Sequence, residues 1–252
     1  MASLLTKLFY MFALIAIDAY MVELIEPPEN FVQKHYVQAF FPPSSGSLFP
    51  YLKLEGSLPP LRHFTLCTWA KAWNLNTNGN FIFSYSYPEK GGDNEFLVGV
   101  YKKPEAAPEL SIHVRGKHSR AECSRFTIGH WHHLCYIWTR VGGRVEMSVD
   151  GQKCSNTKEI APGLEIRTGG TAIIGQEQDS VGGGFMVEQA WNGEITDLQL
   201  WDEPLSPAQI QFIRCNRYQA EGSVFSWMKS PMVAHGVVFS ETNVCKLSYP
   251  FS

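Results

Sequence analysis

The chain has 252 residues, of which 44% are hydrophobic and only 18% are charged. A disordered chain needs low hydrophobicity and high net charge, and the 21 glycines and 15 prolines follow no repeat, so disordered and collagen-like proteins are excluded. The formal net charge of −3 offers no basic surface, so nucleic acid is not an expected partner.

The N-terminal segment has the pattern of a secretory signal peptide. Lys7 precedes ten apolar or aromatic residues, Leu8–Ile17, and the small residue Ala19 follows. A transmembrane helix needs about 20 apolar residues, and no later run approaches that length. We therefore expect residues 1–19 to be a signal peptide and residues 20–36 a short N-terminal extension. The mature protein is expected to be secreted and extracellular, without a transmembrane segment; a buried N-terminal helix is the alternative.

Most of the remaining chain alternates between apolar and polar residues with period two, which is typical of strands with one buried face. Residues 81–87 carry aromatic rings at odd positions, and residues 110–114 and 145–149 alternate strictly. Gly142-Gly143 precedes the last of these runs and predicts a hairpin, and Asp150-Gly151 closes it. About ten such runs predict an all-β sandwich.

One segment departs from this period and predicts a single short helix on the sandwich. Ser206 has the residue type of an N-cap, and Pro207 follows at the first helical position. Ile210 and Ile213 are three residues apart, so one side of the helix is apolar. No repeat or linker divides residues 37–252, which we interpret as one domain.

The cysteines are even in number, which in a secreted chain implies disulfides. Their spacing alone leaves all 15 connectivities open. No Cys-x-x-Cys pair is present, so a thiolate zinc site is not indicated. The six residues are Cys67, Cys123, Cys135, Cys154, Cys215 and Cys245.

Two polar segments at strand ends carry oxygen ligands. Asp93, Asn94 and Glu95 follow a glycine pair, and Glu177-Gln178-Asp179 follow an apolar run. Bringing Glu177 and Asp179 to Asp93 would gather three like charges, whose repulsion a cation removes. Calcium takes six to eight oxygen ligands and tolerates this mixture of carboxylates and amides, so we expect a calcium site. Solvated acidic turns are the alternative.

Other chemistries lack a required residue. Laminarinase-type glycoside hydrolases carry Glu-x-Asp-x-Glu on a strand, but Val181 stands where the second glutamate would be. His130 and His132 have no third ligand for zinc. No residue order suggests a nucleophilic triad. We therefore expect no catalytic residues and no enzyme.

The sequence resembles the pentraxin family, that of C-reactive protein and serum amyloid P component, over nearly all of residues 37–230. Phe64–Trp69 resembles the first core cysteine strand of the family. His133–Trp138 resembles its signature His-x-Cys-x-Ser/Thr-Trp, with Ile137 at the hydroxyl position. The most specific part of the resemblance is the segment Ile174–Ser180.

The resemblance implies a flattened jelly roll of two antiparallel sheets with one helix, so that residues 37–252 form a pentraxin domain. It also implies a disulfide between Cys67 and Cys135. For the other four cysteines, proximity along the chain favours the two pairs Cys123–Cys154 and Cys215–Cys245.

The resemblance further implies two adjacent calcium ions. Met186 stands where many members supply a carboxylate to the second ion, so this ion is expected to be weaker, with Glu188 as a substitute ligand. The second ion would share two ligands with the first and add Gln189. The ligands of the first ion would be Asp93, Asn94, Glu177, Asp179 and the backbone carbonyl of Gln178.

The resemblance implies a secreted, calcium-dependent pattern-recognition protein. Its ligands would be phosphorylated or anionic glycans and headgroups: phosphoethanolamine, phosphocholine, and sialylated or microbial polysaccharides. Gly99 replaces the bulky apolar residue of choline-binding members, so choline is not preferred. Family members form rings, so a cyclic homo-oligomer is expected. The alternative is an adhesive, laminin-G-like module that mediates protein contacts, with calcium only stabilising its loops.

Overall fold

The computed structural model describes residues 36–155, 157–215 and 221–244, in which fifteen strands form two sheets. The first sheet contains β1 (Tyr36–Phe41), β3 (His63–Ala72), β8 (His132–Thr139), β9 (Val145–Val149), β10 (Gln152–Lys153), β12 (Gly193–Trp201), β13 (Phe225–Ser226) and β15 (Val238–Thr242). The second sheet contains β2 (Tyr51–Leu54), β4 (Asn80–Ser86), β5 (Phe96–Tyr101), β6 (Glu109–Val114), β7 (Lys117–Glu122), β11 (Thr171–Ile174) and β14 (Met232–His235).

Every pair of neighbouring strands is antiparallel, and the topology is that of the predicted jelly-roll sandwich. The first sheet has the order β10-β9-β8-β3-β12-β1-β15, with β13 beside β12, and the second has the order β14-β2-β11-β4-β5-β6-β7. The sequence predicts about ten strands. The additional strands have two to four residues, too few to produce a visible alternation.

The predicted signal peptide, residues 1–19, lies outside the described residues. So does the predicted extension, residues 20–36, apart from Tyr36, where β1 begins. In the described part of the chain, no helix combines the length and the apolar character needed to cross a membrane.

Aromatic side chains join the two sheets in the core. The ring of Phe64 on β3 lies 4.1 Å from that of Phe96 on β5, and Phe96 in turn lies 5.1 Å from Phe83 on β4. Tyr136 on β8 reaches across the core and donates a hydrogen bond to the backbone oxygen of Gly99 at 3.1 Å. Fully burying each such ring contributes on the order of 2–3 kcal/mol before entropic costs.

The predicted alternation holds on β9 and fails on β4. On β9 the apolar positions are buried and the polar positions are partly exposed. All seven residues of β4 are buried, because a second layer of chain covers the outer face of its sheet. A bulge between Phe81 and Phe83 moves Phe81 out of the core and into a separate outer cluster with Leu97 and Tyr101.

The predicted helix and hairpin are both present. Helix α1 (Pro207–Ile213) begins after Ser206, whose side chain accepts a hydrogen bond from the backbone N–H of Gln209 in a capping box. Its buried residues Ile210 and Ile213 pack on the outer face of the first sheet. Strands β8 and β9 form the predicted hairpin through residues 140–144.

Disulfides join Cys67 to Cys135 and Cys123 to Cys154, the pairs expected from the sequence. The first links directly opposed residues of β3 and β8, 68 positions apart, and contributes roughly 4 kcal/mol in the chain-entropy model. Cys215 is also disulfide-bonded, and its predicted partner Cys245 lies outside the described residues.

Candidate calcium and ligand site

The acidic segment after β11 belongs to a loop, residues 175–191, that we call the outer-face loop. Gly175 donates its N–H to the backbone oxygen of Ile82, and Trp191 donates to the backbone oxygen of Gly175, so the loop leaves and rejoins the sheet at one place. Gly175 has φ +92°, and a Cβ there would lie 2.4 Å from the Phe41 ring. Glycine is therefore required for the reversal that sends the next residues back over the sheet.

The residues after Gly175 are bound to the outer face of β4. The Ser84 hydroxyl donates to the backbone oxygen of Gln176 at 2.8 Å. The Gln178 amide donates to the backbone oxygens of Ser84 and Thr171, and its oxygen accepts the N–H of Gly182 at 2.7 Å. Because this side chain is fully buried and its oxygen already accepts a hydrogen bond, Gln178 can contribute its backbone carbonyl rather than its amide to an ion.

The other acidic segment lies in the connection between β4 and β5. The Asn94 amide donates to an Asp93 carboxylate oxygen at 3.0 Å, and both residues are partly exposed. The neighbouring Glu95 is fully buried and points elsewhere: its carboxylate accepts from Arg167 at 2.7 Å and lies 3.5 Å from Arg115. Of the three polar residues in the motif, only two are therefore left for a cation.

Glu177 is a buried carboxylate whose pKa is raised by its surroundings. It is 2% exposed, and one of its carboxylate oxygens is buried without a hydrogen-bond partner. Burial, followed by the charges of Asp179 and Asp93, raises the pKa of this carboxyl to about 7. The charges of Asp179 and Asp93 thus act on Glu177, and we call these three carboxylates the acidic cluster.

Gln189, at the end of a short 3-10 helix (Val187–Gln189), also has a buried side-chain oxygen without a partner. A buried polar oxygen left unsatisfied costs about 1–3 kcal/mol, and a cation would remove that cost at both Gln189 and Glu177. Both unsatisfied atoms are hard oxygens, so this donor set suits calcium.

The carboxylates of Asp93, Glu177 and Asp179 do not all lie within 4.8 Å of one another. Among the described residues, the one set of three histidine, cysteine or carboxylate groups within 4.8 Å of one another is Cys67, His133 and Cys135. The two cysteines of that set are disulfide-bonded, so it is not a metal site.

The two histidines of β8 are buried in the first sheet. Burial lowers the pKa of His133 to about 3, and His132 hydrogen-bonds Asp150 at 2.8 Å. These histidines are structural.

A cavity of about 410 Å³ is lined by Gln189, whose buried side-chain oxygen has no hydrogen-bond partner in the described part of the chain. Glu188 and Met186 line it as well, so the two predicted second-ion ligands, Glu188 and Gln189, share one cavity. Tyr101 and Arg120 also line this cavity. Burial raises the pKa of Tyr101, Arg120 opposes this, and the Glu177 charge raises the pKa further, which places Tyr101 beside the cluster. No sequence motif identified Tyr101 or Arg120.

The Gly99 position has no room for a side chain. Gly99 pairs with Phe81 across β4 and β5, and a Cβ there would lie 2.6 Å from the backbone oxygen of Asn80. The bulge that turns Phe81 outward therefore occupies the space that a bulky residue at position 99 would need.

The helix on one outer face and the acidic loop on the other define a lectin-like jelly-roll sandwich. The Pentaxin family model matches residues 38–241. C-reactive protein 1.4 of Limulus polyphemus is 35% identical over 212 residues, 81% of this chain and 85% of that protein. Rat neuronal pentraxin-1 is 32% identical over 191 residues, 75% of this chain and 42% of that protein.

Among solved structures, a native heptameric SAP-like pentraxin from Limulus polyphemus matches with a TM-score of 0.77 at 34% identity, covering 84% of this chain and 98% of that chain. The resemblance seen in the sequence is confirmed, and the chain belongs to the pentraxin (pentaxin) family.

Proposed function

We propose that the protein is a secreted, calcium-dependent recognition protein and not an enzyme. Its ligands are phosphorylated or anionic glycans and headgroups. The observation that supports this most directly is the buried, unpartnered oxygen of Glu177 beside Asp179 and Asp93. An acidic cluster of this kind is costly by itself and is stabilised by a divalent cation.

The ligands of the first ion are Asp93, Asn94, Glu177, Asp179 and the carbonyl of Gln178. A second, weaker ion shares Glu177 and Asp179 and adds Gln189, with Glu188 close by in the same cavity. Calcium bound there supplies positive charge and open coordination positions for a phosphate or carboxylate oxygen. A protein of net charge −3 can therefore hold anionic ligands.

Phosphoethanolamine, sialylated glycans and other anionic polysaccharides are equal candidates, because the Gly99 position offers no apolar side chain to the methyl groups of choline. We propose a cyclic homo-oligomer, since a relative of 34% identity is heptameric. A ring that faces a repetitive surface gains avidity through effective concentration without any new contact.

Calorimetric titration with calcium tests the ion site. The Asp179→Ala and Asp179→Asn variants should lose most of the heat of binding, because each removes a carboxylate shared by both ions. Glu203→Gln is the matched control: this exposed acid precedes α1 on the opposite outer face and should bind calcium like the wild type. Equal calcium affinity in the Asp179 variants would overturn the proposed site.

Column capture tests the ligand class. The protein should be retained on immobilised phosphoethanolamine or a sialoglycan in calcium and released by a chelator. Retention that the chelator leaves unchanged would contradict calcium-dependent recognition and favour the adhesive, laminin-G-like alternative.

A further inference from the structure

Arg120 on β7 projects from the outer face of the second sheet, beside the proposed calcium site. Its guanidinium carbon lies 3.6 Å above the ring centre of Tyr101. Within the described residues Arg120 forms no ion pair, and its Nε is buried without a hydrogen-bond partner. Because the Arg120 side chain is partly exposed and its charge has no carboxylate partner among the residues that the structure describes, its guanidinium is suited to bind an oxyanion.

Arg120 separates two cavities and lines both. One is the cavity of about 410 Å³ that contains Glu188 and Gln189. The other, of about 440 Å³, is lined by Arg120 and three further residues of β7. A ligand that occupies both cavities therefore contacts Arg120.

The second cavity is lined by three cationic side chains, two carboxylates and one imidazole. Its charged and imidazole side chains are Lys103, Glu109, His118, Arg120, Glu122 and Lys158. Lys103 is paired with Glu109, whereas Lys158 and Glu122 are exposed, so Arg120 gives this cavity its excess of positive charge. Burial and then the charges of Arg120 and Lys158 lower the pKa of His118, so both cations lie near this ring. His118 also stacks on His113, with ring centres 5.2 Å apart.

We infer that Arg120, with Lys158 and His118 beyond it, forms a second anion-binding position next to the calcium site. Its ligand is an acidic glycan with two negative groups, one bound at the calcium site and the other, a carboxylate or phosphate, bound by the Arg120 guanidinium. This inference rests on the proposed function. It narrows the proposed ligands to those with two acidic groups, because a ligand with one acidic group bound at the calcium site makes no charge contact with Arg120.

Two sugars that differ only in a second acidic group provide the test. Glucose 1-phosphate carries one acidic group, and glucuronic acid 1-phosphate adds a carboxylate. In calcium, the wild-type protein should bind the glucuronic acid compound about five- to tenfold more tightly by calorimetry, a gain typical of one charge-assisted hydrogen bond in a partly solvated groove. This preference should decrease with added salt.

The Arg120→Gln variant should bind the two sugars with about equal affinity. Its affinities for calcium and for glucose 1-phosphate should stay unchanged. Arg120→Lys should keep part of the preference, because it retains the charge and loses the fork-shaped donor set. Arg125→Gln is the matched control: Arg125 is exposed and hydrogen-bonds Gln152 outside the two cavities, so its variant should behave like the wild type.

Equal affinity of the wild type for the two sugars, or an unchanged preference in Arg120→Gln, would overturn the second anion position alone. Failure of both sugars to bind a calcium-loaded wild-type protein would overturn the proposed ligand class as well. Loss of calcium binding in Arg120→Gln would mean that Arg120 supports the ion site, which also contradicts the inference.

Discussion

Arg167 holds Glu95 in a buried ion pair, with the Arg167 Nη2 2.7 Å from a Glu95 carboxylate oxygen. The backbone N–H of Arg167 donates to the same carboxylate at 2.8 Å, and the Glu95 side chain has no exposed surface. Since Glu95 directly follows Asp93 and Asn94, this pair anchors the loop that carries two proposed calcium ligands.

Glu95→Gln should therefore lower the free energy of unfolding by about 3 kcal/mol, because it removes the buried carboxylate of the pair and leaves Arg167 only the exposed Glu89 as a charge partner among the described residues. Chemical denaturation measures this change. Glu89→Gln is the control, since Glu89 binds the same arginine with a side chain that is 62% exposed, and its loss should cost less than about 1 kcal/mol. Equal costs for the two variants would contradict the anchoring role of Glu95.

Calcium should stabilise the protein more at pH 8 than at pH 5.5. Burial and the neighbouring carboxylates raise the pKa of Glu177 from 4.5 to about 7, so the calcium-free folded protein binds a proton that the unfolded chain has lost. Its stability therefore falls as pH rises from about 4.5 to about 7. Calcium needs the ionised carboxylate, so its affinity rises over the same range and levels off above it.

Scanning calorimetry with calcium and with chelator, at pH 5.5 and pH 8, measures this difference in melting temperature. Glu177→Gln cannot ionise and should show little calcium-induced stabilisation at either pH. A calcium-induced shift of the same size at both pH values in the wild type would contradict an ion bound by Glu177.

Gly175→Ala should destabilise the protein by about 2–4 kcal/mol and weaken calcium binding, because the new methyl group would collide with Phe41 and displace the start of the outer-face loop. Gly129→Ala is the matched control. Gly129 has φ +82° but no atom within 4 Å of the new Cβ, so only the backbone cost of about 1 kcal/mol applies. Similar losses in the two variants, measured by denaturation, would show that the Phe41 contact is unimportant.

Local signals in the sequence predicted a large part of the fold. Ser206 and Pro207 fixed the start of α1, because a capping box and a first-turn proline act within four residues. The alternation of β9 predicted its buried face for the same reason, since the side chains of a strand alternate without regard to its neighbours.

Features that arise from tertiary packing could not be predicted in this way. The bulge at Phe81 depends on the space at Gly99 on the neighbouring strand, and the buried β4 depends on a loop about 90 residues later. In the sequence, Glu95 stands beside Asp93 as a further oxygen ligand, whereas in the structure its carboxylate binds Arg167, 72 positions away. Arg120 belongs to no sequence motif. The residues around it lie on β5 and the outer-face loop, which are distant from it in the sequence.

The two ends of the outer-face loop lie side by side, where Trp191 donates a hydrogen bond to the backbone oxygen of Gly175. Residues 176–178 are buried on β4, whereas residues 180–188 are exposed or partly exposed. The exposed part of the loop can therefore be lengthened, shortened or replaced with little strain on the strands beneath, so ligand preference can diversify while the scaffold stays the same. Engineering by loop grafting has a defined pair of junctions in this chain.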